Sequence, residues 1–236
     1  LTIMYTSGTT GKPKGVMHTA GNFDNVLSVA KSDLKVPFRP HLFSYLPMSH
    51  IAERMGIEMI GIYQGGFFSF AETLESFPAN LADTQPHLFF AVPRIWAKFR
   101  EKISEKLPPQ KLNRLLSIPI LNNVIRKSIK KKLGLSRATH IYSGAAPISK
   151  EMQEWFQKIG VTIFQAIGMT EDCVHSHFNK HGANRFGTVG KALEGVEVKF
   201  SAEGEMRIRS QSLMKGYYKE PELTAETFDE EGFLKT

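Results

Sequence analysis

Tyr5-Thr6-Ser7-Gly8-Thr9-Thr10-Gly11-Lys12-Pro13-Lys14-Gly15 is a stretch rich in glycine, hydroxyl and lysine side chains that lies between two apolar runs. Glycines let backbone amides approach an anion closely, and a series of such amides forms a concave anion nest. The hydroxyl groups add hydrogen-bond donors, and Lys12 and Lys14 add positive charge. The stretch predicts a strand, a loop that cradles a phosphate chain, and a second strand. The alternative is a polar hairpin turn without a ligand.

This loop differs from a Walker A loop. A Walker A loop needs four residues between its first glycine and its Gly-Lys pair, whereas only two residues separate Gly8 from Gly11. Pro13 follows the lysine directly, and proline lacks the amide hydrogen and fixes its own φ angle. A helix that starts at this lysine is therefore not expected.

Composition limits the class of protein. The chain has 236 residues, 42% of them hydrophobic, which is enough for one large domain or two lobes. Its single cysteine, Cys173, excludes an internal disulfide and fits a reducing compartment, so we expect a cytoplasmic location. No apolar run approaches the ~20 residues of a membrane span. Both termini fall in strand-like sequence, and we expect a fragment of a larger folded unit.

Strand-like and helix-like segments alternate along residues 1–184. This order predicts an α/β fold with a mostly parallel sheet flanked by helices. Helices are expected at 19–32, 51–63, 74–83, 94–107, 120–133 and 148–159, and strands at 39–46, 67–70, 87–92, 139–142 and 161–167. Thr19 is the expected cap of the first helix, Pro78 is expected to break the third, and the aromatic strand 67–70 is expected to be buried.

The pattern of polar and apolar residues changes at residue 185. Short runs of alternating polar and apolar residues follow, separated by glycine-containing turns. This pattern predicts a small antiparallel β subdomain over 185–236.

Chemically distinctive residues follow several of the predicted strands. His50 comes after the strand 39–46, a common position for a site residue in open α/β sheets; the alternative is a histidine that only caps a helix. Glu53 and Arg54 are expected to form a structural ion pair. Small residues at Ser143-Gly144-Ala145-Ala146-Pro147 allow a flat ring to lie against the backbone. Glu171 provides carboxylate oxygens of the kind that Mg²⁺ prefers.

Thr6 to Gly15 resembles the phosphate-loop signature of the adenylate-forming, AMP-forming acyl-CoA synthetase superfamily. The segments Leu46–His50, Ser143–Pro147 and Gly168–Glu171 follow in the order of that family. With Val92–Trp96, the set most resembles the long-chain fatty acid–CoA ligases and implies a fragment of their large N-terminal domain.

The resemblance implies a reaction and a set of site residues. A fatty acid would be activated by ATP to an acyl-adenylate and then transferred to coenzyme A as co-substrate, with Mg²⁺ as cofactor. Lys14, His50, Thr170 and Glu171 would be catalytic, and Glu171 would bind the metal. The nucleotide would be bound by Thr6, Ser7, Gly8, Thr9, Thr10, Gly11, Lys12, Gly144, Ala145, Ala146, Pro147, Ile167, Gly168 and Met169. Ile167 departs from the family, which usually has an aromatic residue there to stack on adenine.

Two alternatives to a CoA ligase stay open. The same adenylating core could serve a carrier-protein ligase or a carboxylic acid reductase, or the chain could be a non-catalytic module that binds nucleotide or a membrane. In the family a Gly-Asp pair follows the position of Thr236, and a further domain supplies a lysine for adenylation. The resemblance therefore implies that this fragment is inactive alone.

Positive charge is concentrated in residues 94–137. This segment has thirteen Lys/Arg and two Asp/Glu, a charge of +11, whereas the whole chain carries +7. Its helix 120–133 combines an apolar face with basic residues, which is typical of helices that lie on anionic membranes. The alternative is a solvated helix that packs inward through its apolar face. Nucleic acid binding is not expected, because the segment has few aromatic residues to stack on bases.

Overall fold

The computed structural model describes residues 2–7 and 12–236, and the loop residues Gly8 to Gly11 lie outside this description. The strands in the described part are β1 (Thr2–Ser7), β2 (Pro13–His18), β3 (His41–Ser44), β4 (Phe67–Phe70), β5 (Leu88–Ala91), β6 (His140–Ser143), β7 (Phe164–Ile167), β8 (His177–Phe178), β9 (Lys191–Ala192), β10 (Glu197–Phe200), β11 (Met206–Arg209), β12 (Gly216–Tyr217) and β13 (Leu234–Lys235).

The helices alternate with the strands of the first two thirds of the chain. They are α1 (Ala20–Ser32), α2 (Ile51–Glu53), α3 (Ile60–Gln64), α4 (Phe77–Thr84), α5 (Pro93–Lys106), α6 (Pro109–Leu116), α7 (Pro119–Lys132), α8 (Lys150–Lys158) and α9 (Pro221–Thr227). A π-helical turn, Arg54–Met59, joins α2 and α3 into one continuous helix. The hydroxyl of Thr19 caps α1 as expected, in a capping box with Asn22.

A seven-stranded sheet forms the centre of the molecule, in the order β4-β3-β5-β6-β7-β8-β9. The first five strands of this order are parallel, and β8 and β9 are antiparallel. This confirms the predicted α/β class with a mostly parallel sheet. The main core lies around Trp96, which is fully buried and donates its indole N–H to the Ala91 carbonyl oxygen over 3.2 Å.

Two smaller sheets complete the fold. The hairpin of β1 and β2 is antiparallel, pairs Thr6 with Lys14, and gains β12 as a third strand beside β2. Strands β10, β11 and β13 form a separate antiparallel sheet. The division of the chain at residue 184 stays a prediction; β9 and β12, which follow it, pair with strands that precede it.

Two predictions about individual helices and strands were wrong. Phe67, Phe68 and Phe70 form a strand, but this strand is the edge of the sheet and its phenylalanines are largely exposed, Phe70 at 67%. The aromatic composition of this strand could not reveal that the strand has a hydrogen-bonded neighbour on one side only. Pro78 lies in the first turn of α4 and does not break it, since the first turn requires no amide hydrogen from that residue.

Candidate active site

Lys14 lies at the base of the glycine-rich loop, where β12 joins the β1–β2 hairpin. Tyr217 of β12 pairs with Val16 of β2, and this pairing places the Lys14 Nζ atom 5.3 Å from the centroid of the Tyr217 ring. A cation at this distance from an aromatic face is attracted to it. Lys12 is exposed at the edge of the undescribed part of the loop. The hairpin therefore holds Lys14 against a fixed aromatic surface.

Glu171 contacts the same tyrosine from the turn that follows β7 of the central sheet. The Tyr217 hydroxyl donates a hydrogen bond to Glu171 Oε1 over 2.7 Å, and the Met214 amide donates to the Glu171 carbonyl oxygen over 2.7 Å. Burial and the adjacent carboxylate raise the pKa of the Tyr217 hydroxyl, so it is a neutral donor at physiological pH. Lys14 and Glu171, 157 positions apart in sequence, thus contact one side chain.

The segment that carries Tyr217 is anchored to α1. The Asn22 side-chain amide donates to the carbonyl oxygens of Gln211 and Leu213 over 2.8 and 3.0 Å. Asn25 donates to the Ser212 hydroxyl over 2.7 Å. These bonds fix the approach to β12, and so they fix where the Tyr217 hydroxyl points.

A buried histidine joins the hairpin to the Thr170–Glu171 turn. His18, the last residue of β2, is fully buried, and its Nε2 atom lies 2.6 Å from the Thr170 carbonyl oxygen. Because a carbonyl can only accept, Nε2 carries the proton and Nδ1 accepts from the Cys173 thiol, whose Sγ is 3.3 Å away. Burial lowers the pKa of His18, which keeps the ring neutral. His18 therefore connects strand β2 to the turn that bears Thr170.

Asp172 is a buried residue of the same turn and forms a hydrogen bond with its backbone. It is fully buried, and its Oδ1 accepts the Met169 amide over 2.8 Å, whereas its Oδ2 has no hydrogen-bond partner among the described residues. Burial raises the pKa of this carboxyl to about 7, although the bond from the Met169 amide acts in the opposite direction. The carboxyl thus holds the Gly168–Thr170 backbone in place beneath Glu171.

An apolar cavity of about 100 Å³ opens beside this turn. Gly168, Gly144, Ala145 and His50, which come from three separate predicted motifs, lie on its wall. The rest of the wall is largely aliphatic and aromatic, formed by residues such as Val26, Ala30, Met55, Ile60, Leu88 and Phe90. The cavity thus continues from the motif residues into the apolar interior.

His50 both caps a helix and faces this cavity. Its Nδ1 accepts the Ala52 amide over 3.2 Å at the start of α2, so the neutral ring carries its proton on Nε2. Burial lowers the pKa of the imidazole. The expected Glu53–Arg54 ion pair was wrong: Arg54 pairs with Glu58 at 2.6 Å, and buried Glu53 accepts the Leu46 amide over 3.2 Å. Side chains of adjacent helical residues diverge, whereas residues four apart meet.

Neighbouring strand ends bring the two other motif segments together. Ser143 at the end of β6 pairs with Gln165 of β7, so the segments 143–147 and 167–170 leave the sheet side by side. Ala145, Ala146 and Pro147 are exposed, and so is Ile167 at 38%. A side chain at Gly144 would come within 3.0 Å of the Phe90 ring. A flat group can therefore approach the backbone between these segments.

The donor set suits a magnesium ion held mainly by a substrate. In residues 2–7 and 12–236 no group of three or more His, Cys, Asp or Glu side chains could hold a metal ion. Mg²⁺ commonly uses one or two carboxylates, together with substrate phosphates and water. The half-buried Glu171, with Oε1 fixed by Tyr217, fits this use because Oε2 makes no hydrogen bond within the described chain.

The structure thus brings Lys14, Thr170 and Glu171 together around Tyr217 and His18, and places His50, Gly144, Ala145 and Gly168 around one cavity. Thr6 pairs with Lys14 and Ser7 with Pro13 in the hairpin, and Gly8 to Gly11 lie outside the described residues. Sequence reasoning missed Tyr217, His18 and Asp172. A histidine at the end of an apolar strand was a visible signal for His18, whereas no local signal indicated the partner of Tyr217.

The chain matches the AMP-binding enzyme family over residues 1–218. Long-chain-fatty-acid–CoA ligase ACSBG2 of Xenopus laevis is 30% identical over 270 residues, which cover 99% of this chain and 36% of that protein. Long chain acyl-CoA synthetase 7, peroxisomal, of Arabidopsis thaliana is 32% identical over 278 residues, which cover 100% of this chain and 38% of that protein. The chain spans less than half the length of the curated relatives it matches.

Solved structures share the fold. The adenylation domain of a carboxylate reductase from Mycobacterium chelonae has a TM-score of 0.75 at 27% identity, over 99% of this chain and 37% of that one. The N-terminal domain of FACL13 from Mycobacterium tuberculosis has a TM-score of 0.73 at 23% identity, over 99% of this chain and 55% of that one.

Proposed function

Because the chain belongs to the AMP-binding enzyme family, we propose that it forms the nucleotide- and acyl-binding part of an AMP-forming, long-chain fatty acid–CoA ligase. The activity of the whole protein is part of this proposal, since the chain spans less than half of its relatives. Two relatives that carry long-chain names support the substrate class.

The proposed reaction has two steps. A fatty acid carboxylate, ionised at neutral pH, attacks the α-phosphorus of ATP; the bond to the bridging oxygen breaks and pyrophosphate leaves. The thiol of coenzyme A then attacks the acyl carbonyl, loses its proton, and releases AMP. The first step needs no general base, so its rate depends on positioning and on neutralising phosphate charge.

The predicted site residues suit these roles. Lys14 and the loop residues Thr6 to Lys12 would contact the phosphates, and the Thr170 hydroxyl would bond to the α-phosphate or the substrate carboxylate. Mg²⁺, when bound at Glu171, would neutralise phosphate charge. Adenine would lie between Gly144–Pro147 and Ile167–Met169, with aliphatic contact from Ile167 in place of stacking. His50 would lie near the reacting carboxylate.

The continuity of the cavity carries the proposal. Gly144, His50 and Gly168 line the same space as the aliphatic side chains of α1 and the π-helical turn. An acyl-adenylate has a polar phosphate ester next to an apolar chain, and this space has the same order of surfaces. A binding module for nucleotide alone would gain nothing from the apolar part.

Stable acyl-adenylate analogues test the proposal. Calorimetry with acyl-sulfamoyladenosines of 2 to 16 acyl carbons measures how affinity depends on the acyl chain. We expect the palmitoyl analogue to bind at least about tenfold more tightly than the acetyl analogue, because each buried methylene contributes roughly 0.8 kcal/mol. Equal affinities would contradict the proposed acyl site. Absence of binding by every analogue would contradict the proposed nucleotide site as well.

Catalysis by this chain alone is a separate part of the proposal. We expect far slower pyrophosphate release from ATP, palmitate and Mg²⁺ than an intact ligase shows, because the chain covers only 36–38% of two ligase relatives. Turnover at the rate of an intact ligase would contradict this expectation.

A second candidate keeps the adenylation step and changes the acceptor. The likeness to a carboxylate reductase adenylation domain, at 27% identity, favours an enzyme that passes the acyl group to a carrier thiol or to a reductase. Comparison of free coenzyme A with a phosphopantetheinylated carrier as acceptor separates these fates.

The proposed partners of the protein include a membrane surface. Residues 94–137 carry a charge of +11, which an anionic lipid surface would attract. Within the described residues, no helix has the length and apolarity that crossing a bilayer requires.

A further inference from the structure

Helix α7 exposes apolar side chains that the core does not cover. Ile120 is 82% and Val124 is 58% exposed, and none of the residues of this helix is buried. Ile125, Ile129 and Leu133 pack against the main core, so the predicted inward face accounts for the second half of the helix only. Ile118 and Leu121 extend the exposed apolar surface at the start of the helix.

Basic residues continue the same exposed stripe. Ile120, Val124, Lys127 and Lys131 are spaced by 4, 3 and 4 residues, which places them on one side of the helix. Lys127 and Lys131 are exposed, as are Lys111 and Arg114 of the adjoining α6. The stripe therefore begins with aliphatic side chains and continues with ammonium groups.

Acidic residues are missing from this part of the sequence. From Lys106 to Arg137 the chain has nine Lys/Arg and no Asp or Glu. None of the ion pairs formed by the described residues involves this segment. Its charge is thus available to an external anionic surface.

We propose that the α6–α7 hairpin docks on an anionic phospholipid bilayer, with Ile118, Ile120, Leu121 and Val124 inserted among the acyl chains and Lys127 and Lys131 at the headgroups. Exposed aliphatic side chains next to ammonium groups match the two layers of a bilayer surface. Nucleic acid would match the charge and leave the aliphatic side chains unused, because base stacking requires aromatic rings. The docking surface does not depend on the proposed reaction.

Vesicle binding tests the proposal. Co-sedimentation with phosphatidylcholine vesicles, with and without 30% phosphatidylglycerol, should show binding only to the anionic vesicles and its loss in high salt. We expect Ile120→Ser with Val124→Ser to weaken this binding at least about tenfold, since each methylene removed from lipid costs roughly fourfold. Lys127→Gln with Lys131→Gln should weaken it by a similar factor.

Matched control variants distinguish binding through this surface from nonspecific adsorption to vesicles. Leu74 is 84% exposed at a different place, so Leu74→Ser should leave vesicle binding unchanged. Lys31→Gln with Lys191→Gln removes two exposed lysines elsewhere and should have at most a weak effect. Thermal unfolding of each variant checks the fold.

A fluorescent probe reports insertion directly. Tryptophan emission in Ile120→Trp should shift to the blue with anionic vesicles and be quenched by brominated lipid, whereas Leu74→Trp should not respond. Absence of vesicle binding, unchanged binding by the Ile120 and Val124 double variant, or equally tight binding of duplex DNA would overturn the proposal. Loss of docking would leave the affinity for acyl-adenylate analogues unchanged, so the two proposals can fail separately.

Discussion

The Tyr217 hydroxyl donates a hydrogen bond to Glu171 Oε1 over 2.7 Å while the ring of the same tyrosine lies 5.3 Å from the ammonium group of Lys14. One side chain thus sets the positions of a carboxylate from the turn after β7 and a cation from β2. The hydroxyl directs Glu171, and the ring supports Lys14.

Replacing Tyr217 by phenylalanine isolates the hydroxyl, because the ring under Lys14 is kept. We expect Tyr217→Phe to raise the Kd for Mg²⁺–ATP about threefold to tenfold, since the Glu171 carboxylate loses a bond worth roughly 1 kcal/mol. Calorimetry at fixed Mg²⁺ measures this change. Tyr218→Phe is the matched control because Tyr218 is adjacent and 41% exposed. Equal Kd values for the two variants would show that the bond does not position Glu171.

His18 is predicted to stabilise the connection between the two sheets. His18→Phe removes the donor to the Thr170 carbonyl oxygen and leaves that carbonyl without its partner, so we expect the free energy of unfolding to fall by about 1–3 kcal/mol. Urea denaturation measures this change.

A double-mutant cycle with Cys173→Ala shows how the network is coupled. Nδ1 and the thiol are 3.3 Å apart, so the two substitutions should be non-additive by at least about 0.5 kcal/mol. Additive effects would mean that the thiol contact contributes nothing.

Gly56 offers a way to fill the cavity without a clash. It lines the cavity, and a methyl group added there would meet no described atom within 4 Å apart from its chain neighbours and its own helix backbone. We expect Gly56→Leu to weaken binding of the palmitoyl-adenylate analogue at least about tenfold and to leave AMP binding unchanged, because the added side chain removes acyl contacts.

Gly21→Leu provides the control for a glycine replaced in another helix. Gly56→Ala should have an intermediate effect. If Gly56→Leu bound long and short analogues as the original chain does, the acyl group would have to lie outside this cavity.

The stability of the chain should depend on pH through His140. This residue is buried, its Nε2 donates to the Leu34 carbonyl oxygen over 2.8 Å, and burial lowers its pKa. A lowered pKa means that the unfolded chain binds more protons, so the stability present above the unfolded pKa of about 6.5 is lost as pH falls. The loss from pH 7.5 to 5.5 is at most about 1.4 kcal/mol.

Comparison with His140→Gln isolates this contribution, because other groups, including Asp172 with its opposite shift, titrate in both proteins. Unfolding free energies should converge as pH falls from 7.5 to 5.5. Parallel pH profiles would contradict the prediction.

Sequence patterns predicted which helices and strands form better than they predicted which of these elements lie next to each other. Thr19 was identified as a cap because capping depends on residues three positions apart. The parallel sheet followed from the alternation of helices and strands. The exposure of Phe70 and the partner of Arg54 depended on which element lies alongside, and no local rule gives that.

The site illustrates the same limit. Lys14, Thr170 and Glu171 lie in recognisable motifs, and the structure places them close together. Tyr217 could not be predicted as their common contact, because the pairing of β12 with β2 joins residues about 200 positions apart. Long-range strand pairing costs loop-closure entropy and is fixed by the whole fold.

Three residues of the cavity wall have a strained backbone conformation. Ala145, Cys173 and Val174 all line the cavity and have left-handed φ angles of 63°, 57° and 58°. For non-glycine residues this conformation costs on the order of 1–2 kcal/mol each. The surrounding fold therefore holds this part of the cavity wall in a strained conformation. We expect mild destabilisation of the protein to relax these three residues before the sheet beneath them unfolds.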